Sequence, residues 1–282
     1  MNTLTQTSDL TELGEIARRL RIKIIEMTAA AGSGHPSTSL SSVEIVTALH
    51  FSRMRWDPQD PSWADRDRFI LSKGHGVPVL YAAYAEAGAI PESELETLRK
   101  TGSRLQGHPD PVRLPFVEAA TGSLGQGLSI AVGLALAARL DGAAWRTYCL
   151  LGDGECEEGQ VWEAAMAAPR PHPNGALDNL CAIVDFNKIQ QTSSVEEILP
   201  TLFPLPDKWR SFSWHVVECD GHSLPELFNA LDEAEATKGR PTVIIAHTVK
   251  GKGVSYMENS NSWHGKAPDE EQAKQAIEEI SA

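Results

Sequence analysis

The chain has 282 residues, 41% of them hydrophobic and 22% charged, with a net charge of −13 at pH 7. This length buries a sizeable core and allows one large α/β domain or two small ones. The acidic balance, without any basic run, excludes a nucleic-acid surface, and no apolar stretch reaches membrane-spanning length. Cys149, Cys156, Cys181 and Cys219 show no CxxC spacing and read as buried, reduced thiols of a cytoplasmic protein. The N-terminus lacks the apolar core of a signal peptide.

Taken in order, residues 1–8 are polar and read as loose. From Asp9 to Ala31 apolar residues recur at Leu10, Leu13, Ile16, Leu20, Ile24 and Met27, a helical stripe with Ser8 as its cap. It stops at Gly32-Ser33-Gly34-His35-Pro36, where Pro36 disfavours helical geometry at His35. Ser41-x-x-Glu44 has the form of a capping box and predicts a helix to about Met54. Arg68-Phe69-Ile70-Leu71 is a short strand, followed by Ser72-Lys73-Gly74-His75-Gly76. Two glycines around a histidine bring no packing side chain and predict close approach of a ligand. Helices are expected over Val77 to Gly88 and Pro91 to Lys100. A third such histidine stands in Gly107-His108-Pro109. Thr121-Gly122-Ser123-Leu124-Gly125-Gln126-Gly127 then opens a small-residue helix to Leu140, and a glycine-rich loop at a helix N-terminus suits an anion. The body of that helix reads as core.

The most informative stretch runs from Leu150 to Ile189. An apolar run breaks into Gly152-Asp153-Gly154, with Glu158-Gly159 just after it. A helix over Val161 to Ala168 follows, and a second apolar run from Leu180 ends on Asn187-Lys188-Ile189. Gly-Asp-Gly alone reads as a turn, but strands on both sides make this a βαβ unit. Ligands of such units bind beyond the carboxyl ends of the strands. Asp153 and Asn187 sit at those ends, and hard oxygen donors of this kind suit Mg²⁺ shared with a substrate's phosphates. Further on come a strand near His215 to Glu218, a helix capped by Ser223-x-x-Glu226, a buried strand over Thr242 to Ala246, and a helical tail within 266–282. Strands alternating with helices predict an α/β fold: a doubly wound, mostly parallel sheet with helices on both faces, over 1–282 as one domain.

Gly34-His35-Pro36, Lys73-Gly74-His75-Gly76, Gly107-His108-Pro109, the loop from Thr121 to Gly127, Gly152-Asp153-Gly154 with Asn187, and Trp263-His264-Gly265 occur in transketolase order. The chain resembles the N-terminal, diphosphate-binding half of a transketolase, as in two-subunit bacterial transketolases. The resemblance implies the thiamin diphosphate-binding fold and thiamine diphosphate with Mg²⁺ as cofactors, Ca²⁺ or Mn²⁺ being substitutes. The activity it implies is transfer of a two-carbon ketol unit between sugar phosphates. It makes Asp153, Asn187 and the carbonyl of Ile189 the metal ligands. Gly152, Gly154 and Glu158 fall near the diphosphate, Glu158 also where two chains of the family touch. His75, Gly122, Ser123 and Leu124 fall where the family contacts its cofactor. His35, His108 and His264, with His75, fall where it handles substrate hydroxyls and protons, a task suited to imidazole.

In this family the glutamate that activates the aminopyrimidine lies in a second, pyrimidine-binding domain, as do most groups gripping the substrate phosphate. With the chain ending at Ala282, the expected partner is a C-terminal transketolase subunit, in an α2β2 assembly, with no nucleic-acid or membrane partner. Three departures stand out. Pro36-Ser37-Thr38 replaces Pro-Gly-Gly, a small insertion covers 169–175, and Gln191-Thr192-Ser193-Ser194 replaces an Asp-Gly-type turn. The alternatives are the α subunit of a 2-oxo acid dehydrogenase E1, a 1-deoxyxylulose-5-phosphate synthase half, or a non-catalytic subunit that keeps the fold. The several histidines favour transketolase, because decarboxylation has less need of sugar-hydroxyl partners.

Overall fold

In the computed structural model, which describes residues 6–172 and 174–282, five strands form one parallel sheet. They are β1 (Arg68–Leu71), β2 (Thr147–Gly152), β3 (Leu180–Phe186), β4 (His215–Asp220) and β5 (Thr242–His247), in the order β1-β2-β3-β5-β4. The helices are α1 (Leu10–Ala31), α2 (Pro36–Leu40), α3 (Val43–Ala48), α4 (Val77–Glu86), α5 (Gly127–Asp141), α6 (Gly159–Ala167), α7 (Val195–Ile198), α8 (Leu205–Ser211), α9 (Leu224–Ala236) and α10 (Glu270–Ser281).

Side chains alternate across a strand, and here each side finds helices. Tyr148 and Leu150 of β2 join one core with α1, α3, α4, α9 and α10, while Cys149 and Leu151 join a second with α5, α6 and α8. Burial on both faces is why β2 and β3 read as near-continuous apolar runs. The doubly wound fold is therefore as expected. Because every strand is parallel, the carboxyl ends of β1, β2, β3 and β5 gather at one edge of the sheet. Among the described residues no helix is long and apolar enough to cross a membrane. All four cysteines are free and buried.

Several boundaries differ from the sequence reading. Residues 1–5 of the expected loose N-terminus lie outside the described residues, whereas Thr7 N–H donates to Phe51 O at 2.8 Å and ties the next stretch down. The cap of α1 is Asp9, whose carboxylate accepts Thr11 N–H at 2.8 Å, one residue after Ser8. Ser41 does not cap α3 but ends α2; Ser42 precedes α3 without a side-chain cap, and the helix passes into a wider turn over Leu49–Arg53. Only a short 3₁₀ segment, Glu92–Thr97, forms where a helix to Lys100 was expected. Helix α5 is not simply core. Ile130, Val132, Leu134 and Leu136 are only partly buried, and Leu140 is 54% exposed.

Candidate active site

Asp153 follows β2 and is buried at the sheet edge. One of its carboxylate oxygens accepts Gly154 N–H at 2.8 Å and the other accepts the N–H of Lys188. Burial, reinforced by the nearby Asp185 carboxylate, pushes its pKa up to about 7. Lys188 carries a side chain at φ 66°, a backbone region few such residues adopt. That turn, held by Asp153, separates Asn187 from Ile189. Asn187 donates its amide N–H to Asp185 at 3.1 Å, which assigns the amide orientation and leaves Oδ1 facing the turn, where Ile189 N–H reaches it at 3.1 Å.

Asp185 is the residue the sequence reading passed over. It lies fully buried in β3 and accepts hydrogen bonds from Ser41 (2.7 Å), Ser42 (3.4 Å), Asn187, Thr248 and the ammonium of Lys73. Burial alone would raise its pKa, but Lys73 and the hydroxyls prevail and hold it below the usual carboxylate range. Lys73, also buried, donates to Thr38 O and Ser42 Oγ at 2.8 Å each. The loops after β1, β3 and β5 therefore meet on one ion pair. A charge inside the apolar run Ile183-Val184-Asp185-Phe186 was the available signal, since buried charges are paired.

A second carboxylate ties the glycine-rich loop. Glu155 accepts Ser72 Oγ–H at 2.5 Å, Gly125 N–H at 2.9 Å and Gly152 N–H at 3.1 Å. The Glu158 side chain, by contrast, is exposed and makes no cap bond at the start of α6. Ser123 and Leu124 are exposed at the tip of the loop. Gly74 is needed by the protein itself: a Cβ there would meet the Thr121–Gly122 backbone at 2.7 Å. Gly122, at φ 134°, has the His108 ring where a Cβ would stand, 2.6 Å from Cδ2.

Three of the four predicted histidines converge. The rings of His35 and His75 lie 5.2 Å apart, those of His35 and His264 5.5 Å, and those of His75 and His264 5.1 Å in a stack. Burial, with nearby cations, lowers the pKa of His35 to about 4 and of His264 to about 3, so the group is neutral at pH 7. His75 is lowered for the same reason. His108 is not in this triangle. It stands exposed against Gly122, its pKa lowered by partial burial and by Arg99.

Lys250, which the sequence places merely in a loop, is buried here, with Nζ donating to Ile189 O at 2.8 Å and to His264 Nδ1 at 2.7 Å. Burial lowers its pKa to about 8. It links the Asp153–Ile189 turn to the imidazole triangle, so both halves form one site.

The model of the family "Transketolase, thiamine diphosphate binding domain" matches residues 14–281. The chain belongs to the transketolase family. Transketolases of Pongo abelii and Homo sapiens are 48% and 47% identical over 96% of this chain, which spans 42% of their length. Other relatives are matched almost end to end. The 6-deoxy-6-sulfo-D-fructose transketolase subunit SqwG of a Clostridium strain is 43% identical, with 98% of this chain and 97% of that one covered. For one of the subunits of the apulose-4-phosphate transketolase of Phocaeicola vulgatus the figures are 41%, 93% and 91%. Among solved structures, the transketolase of Leishmania mexicana superposes with a TM-score of 0.89 at 33% identity, covering 98% of this chain and 42% of that one.

Within this family the departures from the expected pattern have structural partners. Ser37, where a glycine was expected, donates its hydroxyl to Trp263 O at 2.9 Å and so steadies the loop that carries His264. In the turn after Asn187, Gln190 N–H closes onto Ser193 O at 3.0 Å and Ser194 caps α7.

Proposed function

We propose that this chain is the diphosphate-binding subunit of a two-chain transketolase. It moves a two-carbon ketol unit between sugar phosphates with thiamine diphosphate and Mg²⁺, in a cytoplasmic α2β2 assembly with a pyrimidine-binding subunit. The observation that carries this reading is the single cluster formed by Asp153, Asn187, Ile189, Lys250 and three imidazoles at the strand ends.

The residues fit the cofactor pair. Asp153, Asn187 Oδ1 and Ile189 O are hard oxygen donors, the set Mg²⁺ takes alongside phosphate oxygens. Among the described residues no group of three His, Cys, Asp or Glu is placed to hold a metal, so the donor set differs from a nitrogen–sulfur transition-metal site. A carboxylate whose pKa is raised to about 7 by burial gains from a neighbouring cation. His35 Nδ1 is buried without a protein partner, which leaves it for a ligand.

When bound, thiamine diphosphate supplies the carbanion-stabilising chemistry that side chains lack. This chain's share is to hold the diphosphate and to manage protons. Because His264 Nδ1 accepts from Lys250, its own proton sits on Nε2, which is thereby a donor. His35 and His75 are neutral and exchange protons with sugar hydroxyls.

A partner is supported by the partly exposed apolar side of α5. A helix hydrophobic all round is normally buried, and this one stands directly behind the glycine-rich loop. The two subunit relatives of matching length support the same division of labour.

The test is a coupled ketol-transfer assay with a panel of ketose and aldose phosphates, using this chain alone, the chain with the pyrimidine-binding partner, and both with EDTA. Transfer requiring both chains and metal is expected. Decarboxylation of a 2-oxo acid without ketol transfer would move the assignment to a 2-oxo acid dehydrogenase subunit.

A further inference from the structure

The segment that carries Lys250 is gripped at both ends by one carboxylate. Glu44, in α3, is buried. Its Oε1 lies 2.6 Å from Arg21 Nη2 and its Oε2 accepts His222 Nδ1–H at 2.9 Å. Each partner then reaches one end of the same four residues: Val249 N–H donates to His222 Nε2 at 2.8 Å, and Arg21 Nε donates to Lys252 O at 3.2 Å. Since Nε2 of His222 accepts a backbone N–H, the proton must lie on Nδ1, the nitrogen facing Glu44. Between these two grips Gly251 N–H donates to Ser37 O at 2.9 Å, and Lys250 turns inward to Ile189 and His264.

We infer that Arg21, Glu44 and His222 form a clamp of positioning residues that sets the Lys250 backbone and, through Lys250, the tautomer of His264. Lys250 has a long, flexible stem, and on an unfixed loop a buried ammonium must order the backbone and the side chain together to make its two hydrogen bonds. Fixing the backbone on both sides removes that freedom before any ligand arrives. The clamp's contacts with the segment are those to Val249 N–H and Lys252 O, on either side of Lys250. Burial opposes the charge on Glu44, but Arg21 and the His222 donor outweigh it and hold its pKa below the usual carboxylate range.

This inference rests on the reading of Lys250 and His264 as site residues, and its test separates the two ideas. The probe is the full chain without cofactor, with the ring nitrogens of His264 read by long-range ¹H–¹⁵N NMR and assigned against His264→Gln. His222→Gln keeps an acceptor where Nε2 stood, while His222→Asn keeps only the donor toward Glu44. The expected result is a single Nε2–H tautomer in the wild type and in His222→Gln, and an averaged pair of nitrogens in His222→Asn at a similar melting temperature. With Mg²⁺ and thiamine diphosphate added to the two-chain complex, His222→Asn should also bind about tenfold more weakly. Loss of the tautomer in both variants, or in neither, would overturn the clamp. Should His222→Asn fail to fold, Arg21→Met opens the opposite end and is read in the same way. A wild-type complex that binds no thiamine diphosphate would count against the proposed function, while the tautomer would still decide the clamp.

Discussion

The ammonium of Lys250 donates to Nδ1 of His264 across 2.7 Å, and through that contact a lysine absent from the histidine motifs sets which nitrogen of His264 carries the proton. Lys250→Met keeps the stem and removes the donor. We expect ketol transfer by the assembled enzyme to fall about a hundredfold, the usual worth of a correctly placed proton donor. Folding should survive, because a buried charge is exchanged for an apolar group. Steady-state rates together with a thermal melt check this. A variant with rates within about twofold of wild type would show that His264 needs no such partner.

Asp185 and Lys73 offer a way to separate stability from binding. Breaking a buried pair by removing one partner costs about 3–5 kcal/mol, so Asp185→Asn should lower the urea midpoint sharply. Replacing both, Lys73→Met with Asp185→Leu, should recover part of that loss, the remainder being the acceptor lost to Asn187 and Thr248. The same double variant should still bind Mg²⁺ and thiamine diphosphate at least about tenfold more weakly, because the acceptor that orients the Asn187 amide has gone. If urea unfolding recovers and binding recovers with it, Asp185 serves stability alone.

His50 predicts an acid limb to stability that has nothing to do with the site. It is fully buried against Trp56 and Phe69, and burial lowers its pKa to about 4. Between pH 6.5 and 4 the unfolded chain takes up a proton that the folded chain refuses, so stability is complete above pH 6.5 and falls as the pH drops toward 4. The full effect is about 3 kcal/mol. Urea unfolding from pH 7.5 to 4.5 should show a slope smaller by about one proton in His50→Leu. An unchanged slope would place the acid sensitivity elsewhere.

What could be read from the sequence was the placement of residues at strand ends. Asp153 and Asn187 are local to one βαβ unit, and their strand context is visible within it. The parallel doubly wound sheet followed from the same alternation. The misreadings were contacts between distant parts of the chain. Ser41-x-x-Glu44 has the local form of a cap, yet Ser41 spends its hydroxyl on Asp185, 144 residues away, and Glu44 spends its carboxylate on Arg21 and His222. Gly74 makes room for the Thr121–Gly122 backbone, a contact that a local reading of Gly74-His75-Gly76 does not show. Lys250 gave no local signal, because its burial depends on loops that follow β3 and β5. Helix α5 read as core because its composition is apolar, and composition alone does not say which of its positions the fold covers.

The central claim is that Asp153, Asn187 and Ile189 hold a metal that holds a diphosphate. Titration calorimetry of thiamine diphosphate into the wild-type chain and into Asp153→Ala, with Mg²⁺ and with EDTA, and each with and without the partner subunit, tests it most directly. The account predicts weak, Mg²⁺-dependent binding by the chain alone, tight binding once the partner is present, and no Mg²⁺-dependent binding by Asp153→Ala in either case. Binding that is unchanged in Asp153→Ala, or indifferent to EDTA, would contradict it.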